Sequence, residues 1–172
     1  MLGDAGMVDK KAENRQDTAD NRKDTADKVR KVRRDELEKL LELYRYLNPE
    51  DPDIFGEEAT NKLWDEIRGD PRQSILVLEE DGCLAASCTL VIVSNLTRGG
   101  RPYALIENVV TNGSFRRKGY GTAVLDKAVA MAREKGCYKV MLLTGRNNEG
   151  VFSFYENAGF NRYAKTAFYM KL

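Results

Sequence analysis

The chain contains no histidine. That excludes a His-based catalytic triad, a His zinc ligand and a His general base. Cysteine is scarce: Cys83, Cys88 and Cys137 are odd in number and lack C-x-x-C spacing. They argue against a disulfide framework and a zinc site, so no metal is expected. A reducing compartment fits, and the cytoplasm is the expected location. Long hydrophobic runs are missing too. The longest, Cys83 to Val93, is interrupted by Ser87 and Thr89 and is too short to cross a bilayer. The N-terminus has no cationic-then-apolar leader pattern. Neither sign of charge dominates: 28 Lys and Arg against 27 Asp and Glu leave a formal charge of +1. That balance speaks against nucleic acid or an anionic membrane as partner. What remains is 42% hydrophobic and 32% charged over 172 residues, the composition of one globular domain.

Residues 1–28 differ from the rest, with almost no large apolar side chains. A seven-residue repeat runs through them, Asn14 to Asp20 and again Asn21 to Asp27. The period invites a coiled coil, but only Ala19 and Ala26 offer a seam, and a solvated tail or an exposed single helix are the competing readings. The folded domain is expected over 29–172. It opens with a short strand-like run at Val29 and Val32. A helix follows, capped by Asp35 with Glu38 as its capping-box partner and carrying Leu37, Leu40, Leu41, Tyr44 and Leu47. Asn48 to Pro52 ends it. A second helix is expected from Gly56 to Arg68, with Leu63, Trp64 and Ile67 inward. Strands are expected at Ser74–Glu79, Cys83–Ser94 and Tyr103–Thr111, with Asp81-Gly82 as a hairpin turn. Then come a helix over Thr122–Glu134 ended by Gly136, a strand over Lys139–Thr144 and a short helix over Gly150–Asn157. Phe160 to Leu172 is expected to supply one or two closing strands. The order predicts a mixed α/β layer architecture.

Chemistry concentrates in Arg116-Arg117-Lys118-Gly119-Tyr120-Gly121-Thr122, between a strand and a helix. Gly119 and Gly121 let backbone N–H groups approach a ligand closely. The helix start adds unpaired donors and partial positive charge, which suits a pyrophosphate. The segment lacks the third glycine of a dinucleotide fingerprint and the G-K-[ST] of a P-loop. A charged turn capping an ordinary helix is the plain alternative. The second informative stretch is Asn148 to Phe160, with Phe152, Phe154, Tyr155, Gly159 and Phe160. Together the two stretches resemble the GNAT superfamily of acyl-CoA-dependent N-acetyltransferases. The pattern [QR]-x-x-G-x-[GA] stands as Arg116-x-x-Gly119-x-Gly121, and N-x-x-[AV]-x-x-F-Y-x-x-x-G-F as Asn148 through Phe160. The resemblance covers about 29–172.

It implies a central, mostly antiparallel, splayed β-sheet flanked by helices, and acetyl-CoA as cofactor. The backbone at Arg117, Lys118, Gly119, Tyr120, Gly121 and Thr122, with Arg116, would take the pyrophosphate. Asn108, Val109, Val110 and Thr111 would pair with the pantetheine arm. Asn148 would touch the same cofactor, and Tyr155 would protonate the departing thiolate; its alternative is a core aromatic. An amine must lose a proton before it attacks a thioester. Glu107, on an otherwise apolar strand, is the candidate base, with a pKa that burial would raise. A salt-bridged or solvent-facing Glu107 is the competing reading. The stretches Arg98 to Val110 and Gly136 to Val140 look similar to the glucosamine-6-phosphate N-acetyltransferase branch, which makes Arg98 and Arg101 candidates for a substrate phosphate; solvated hairpin cations are the alternative. This chain has Asn108 where that branch has Asp, and Leu142 to Arg146 where it has an acidic stretch. Arg45 and Tyr46 are further acceptor-site candidates. The expected activity is direct acetyl transfer to a primary amine of a small molecule. A protein N-terminal or lysine acetyltransferase and a non-catalytic acyl-CoA-binding module are the rivals. A homodimer is an open expectation.

Overall fold

The computed structural model describes residues 24–50 and 56–172. The repeat expected at 14–27 therefore lies mostly outside the described residues, and so does 51–55. Residues 24–27 form one helical turn, with the Val29 N–H donating to the Ala26 carbonyl at 3.1 Å.

Five strands follow: β1 (Arg30–Lys31), β2 (Gln73–Glu80), β3 (Cys83–Val93), β4 (Tyr103–Thr111) and β5 (Val140–Leu142). Four helices accompany them: α1 (Leu37–Tyr44), α2 (Glu57–Gly69), α3 (Tyr120–Glu134) and α4 (Glu149–Asn157). The sheet order is β1-β2-β3-β4-β5. The first three pairings are antiparallel and β4 with β5 is parallel. The parallel pair is joined by α3, as a crossover requires. A mixed α/β sheet flanked by helices is thus present, as the sequence predicts.

Two cores share the sheet. On one face Leu76, Leu78, Leu90 and Ile106 pack against Val124, Leu125, Ala128 and Ala132 of α3. On the other, Ile75, Val77 and Leu84 pack against Leu40 and Leu43 of α1 and Trp64 of α2. Both faces being covered explains why β3 is apolar on both sides, apart from Ser87 and Thr89. The Trp64 indole N–H donates to the Arg34 carbonyl at 3.0 Å and fixes α2 against the entry to α1.

Four local expectations need correction. The carboxylate that caps the helix entry is Glu36, not Glu38, and the cap position is Arg33 rather than Asp35: the Arg33 N–H donates to Glu36 at 2.7 Å. Glu36 is only 1% exposed and also takes two hydrogen bonds from the Arg30 guanidinium, at 2.7 and 2.8 Å. This pairing holds its pKa down to about 2. A buried carboxylate with a cationic partner outcompetes one that faces water. Leu63 is 45% exposed and does not join the core. Its two helical neighbours, Trp64 and Ile67, fill the available width. Lys139–Thr144 shortens to a three-residue β5. Finally, residues 161–172 form no strand. Their Phe168, Tyr169, Met170 and Leu172 stand exposed. Apolar residues make a strand only where a neighbouring strand satisfies their backbone, and among the described residues no strand pairs with this segment.

Candidate active site

β4 changes face partway along its length. Thr89 of β3 lies opposite Glu107 and Ser87 opposite Val110, so Cys88 faces two residues, Asn108 and Val109. This is a β-bulge, with the extra residue bending the strand. Asn108 takes φ +51°, a left-handed conformation that asparagine tolerates better than most side chains. The bulge inverts the alternation. Before it, Ala104 and Ile106 pack on the α3 side; beyond it Val109 packs there, and Val110 joins the α1 core. Pairing with β5 stops at Ile106 with Leu142, while β4 runs on to Thr111. Residues Glu107 to Thr111 therefore present an edge that β5 does not cover.

A cleft of about 770 Å³ opens along that edge. Its floor is Ile106 to Thr111. One end is the turn Phe115 to Arg117 with Gly119 to Thr122 at the start of α3. The other walls are Tyr46 to Asn48 after α1, Leu143 to Arg146 after β5, and Gly150, Val151, Phe154 and Tyr155 of α4. Gly119 precedes α3 with φ +82°, which a side chain would strain. Gly121 is packed so closely that a Cβ would meet Thr111 Oγ1 at 2.9 Å and the Phe154 ring at 3.2 Å. Asn148 caps α4, its side-chain oxygen accepting from the Val151 N–H at 3.0 Å.

Most of the residues singled out in the sequence share this cleft. Tyr46, Glu107, Asn108, Val109, Val110, Thr111, Arg116, Arg117, Gly119, Tyr120, Gly121, Thr122 and Tyr155 all line it. Others do not. The Lys118 ammonium lies over the Phe115 ring at 4.9 Å, outside the lining. Arg45 is exposed and outside it. Asn148 borders the cleft through its cap only. Arg98 and Arg101 sit before the start of β4, which is itself roughly 13 Å from Glu107 along the strand. Arg101 donates to the Gly136 and Cys137 carbonyls at 3.1 and 3.2 Å, and Arg98 lies over the Tyr138 ring. Within this chain these two cations brace the far end of the sheet instead of reaching the cleft. Leu47, Phe154 and Arg146 were not expected. Only Phe154 stands in a motif; the other two arrive through loops whose course the sequence does not specify.

The charges of the cleft act on Tyr155. Burial raises the pKa of Tyr155, the Glu107 carboxylate adds to the rise, and the Arg146 guanidinium opposes it. The hydroxyl is thus protonated at neutral pH and able to donate. The thiols are not nucleophiles of this cleft. Burial pushes Cys88 up to about 12, its sulfur lies 3.4 Å from the Val124 carbonyl, and neither Cys88 nor Cys137 is in the lining.

A strand edge open to an extended chain, a glycine-bearing turn and a helix N-terminus beside two arginines suit an acyl-CoA, whose arm and pyrophosphate need these features. These are the features that an acyl-CoA-dependent transferase requires of its cofactor site. Residues 40–160 match the model of the acetyltransferase (GNAT) family, and the chain belongs to that family. It is an N-acetyltransferase, and acetyl-CoA is its cofactor. It is 32% identical over 137 residues to glucosamine 6-phosphate N-acetyltransferase of Trypanosoma brucei brucei, covering 80% of this chain and 90% of that one. A solved structure from Agrobacterium tumefaciens str. C58 is 44% identical, with a TM-score of 0.78 over 84% of this chain and 99% of that one. The glucosamine-6-phosphate N-acetyltransferase of Arabidopsis thaliana superposes with a TM-score of 0.71 at 28% identity, covering 84% and 98%. No described helix is long and apolar enough to cross a membrane.

Proposed function

We propose that this enzyme transfers an acetyl group directly to the primary amine of a small molecule, with an amino-sugar phosphate as the first candidate. The observation that carries the reading is the meeting of Glu107, the bulged edge of β4 and Tyr155 in one cleft. The names of the relatives from Trypanosoma and Arabidopsis support the choice of acceptor.

The turn from Arg116 to Thr122 binds the pyrophosphate through backbone N–H groups, and Asn108 to Thr111 align the arm. Acetyl-CoA, when bound, supplies the reactive thioester. Glu107 takes the proton that a protonated amine must lose, directly or through a water. A backbone N–H of Val109 or Val110 stabilises the charge that develops on the carbonyl oxygen. Tyr155 Oη holds the proton that the leaving sulfur needs. The exposed apolar segment at 161–172 and the short, open edge of β5 support a homodimer, for which sedimentation at twice the chain mass is the check.

The test is thiol release from acetyl-CoA with glucosamine 6-phosphate, with glucosamine and with N-terminal peptides. Turnover that requires the phosphate supports the reading. Turnover with peptides alone replaces it by a protein acetyltransferase.

A further inference from the structure

The lining of the cleft contains one carboxylate, Glu107, and three cations, Arg116, Arg117 and Arg146. The first two arginines stand on the turn before α3, where a pyrophosphate needs them. Arg146 stands elsewhere, on the loop between β5 and α4. Its Nη2 donates to the Leu47 carbonyl at 3.4 Å, which ties it to the loop after α1. Its charge is felt at Tyr155, beside the reacting centre.

Arg146 has donors to spare. A guanidinium carries five N–H groups, and this contact uses one. Among the described residues no carboxylate lies within ion-pairing distance of it, whereas Arg162 pairs with Glu149 and Glu156, and Arg30 with Glu36 and Glu79. An unpaired cation beside the acceptor has a consequence for substrates. A protonated amine that brings only positive charge is repelled by it. An amine that also carries an anion is attracted, with the amine toward Glu107 and the anion toward Arg146. The guanidinium fork suits a tetrahedral oxyanion.

We infer that Arg146 is a specificity-determining residue that binds a phosphate group on the acceptor. The assignment rests on the acetyltransferase reading of the same cleft. It gives the phosphate-binding part to Arg146, since Arg98 and Arg101 lie at the far end of β4.

Two measurements on the full chain test it. In the first, initial rates are compared for wild type, Arg146→Ala, Arg146→Lys and, as control, Arg98→Ala. Arg146→Ala should raise KM for glucosamine 6-phosphate about 10- to 100-fold, and Arg146→Lys should recover part of it. KM for acetyl-CoA should stay within about twofold, KM for unphosphorylated glucosamine should not rise in Arg146→Ala because a repelling cation is gone, and Arg98→Ala should resemble wild type. In the second, protein saturated with CoA is titrated with glucose 6-phosphate, which has no amine and cannot react. Saturable binding that disappears in Arg146→Ala supports the inference, even if neither amine is turned over; in that case the amino-sugar reading fails while Arg146 stands. Binding that is absent, or unchanged by Arg146→Ala, overturns the role of Arg146, and turnover of either amine then leaves the acetyltransferase reading intact.

Discussion

Gly121 and Thr111 are in such close contact that a Cβ on Gly121 would lie 2.9 Å from Thr111 Oγ1. The start of α3 is thereby pressed against the end of β4, and Phe154 closes the contact from α4. Two consecutive elements and a third from later in the chain depend on one missing methyl group. The proximity of α3 and β4 is what sets the glycine turn beside the strand edge.

Gly121→Ala should therefore push the turn out of place. We expect a loss of about 1–3 kcal/mol in stability and at least about tenfold in acetyl-CoA affinity. Gly121→Asp, which adds a negative charge as well, should abolish binding. Isothermal titration calorimetry with acetyl-CoA decides, and an unaltered affinity in the Asp variant would remove the turn from the site.

Tyr155→Phe should lower kcat by about 10- to 1000-fold while acetyl-CoA affinity changes little. Because burial raises the Tyr155 pKa, its hydroxyl keeps its proton across the neutral range. Any alkaline limb of kcat that belongs to Tyr155 should lie above the usual tyrosine value of about 10. A normal rate in the Phe variant reassigns the ring to packing against Phe154 and Phe160.

Glu107→Gln should be costly at neutral pH and progressively less so as pH rises. At high pH the acceptor amine is already neutral and needs no base. The ratio of wild-type to variant kcat/KM, followed from pH 7 to 10, is the measurement. A ratio that is flat with pH contradicts the base role.

Glu36 makes a stability prediction with a definite sign. Its pKa is about 2 in the folded protein and near the usual 4.5 when unfolded. Its contribution is complete above about pH 4.5 and is lost as pH falls toward 2. Replacing it by Gln leaves the Arg30 guanidinium with Glu79 as its one remaining carboxylate partner, and we expect about 3 kcal/mol of destabilisation at pH 7. The gap between wild type and Glu36→Gln should narrow at acid pH. Urea unfolding at pH 7 and pH 3 tests this, and a gap that widens at pH 3 is the wrong sign.

The glycine-bearing turn before α3 was legible from residues alone, because what matters there is local. Gly119 and Gly121 are needed for backbone reasons, and a helix start carries its N–H donors wherever it is placed. Strand and helix positions were legible for the same reason: periodicity 2 or 3.6 is a property of a short stretch. Where a segment needed a distant partner, the pattern misled. Phe168 to Leu172 are apolar and aromatic enough for a strand, yet none of the described residues pairs with them as a strand. Asp35 and Glu38 look like a capping pair, yet Glu36 prevails because Arg30 and the Arg33 N–H converge on it.

The sequence by itself determined the fold class and the family, through the glycine turn, the Asn148 to Phe160 segment and the order of elements. Only the tertiary structure decided which cations line the cleft. Arg98 and Arg101 neighbour the Glu107 strand in sequence, but an extended chain carries them away at about 3.3 Å per residue. Arg146 is almost forty residues from Glu107 in sequence, and the parallel pairing of β4 and β5 returns it to the cleft.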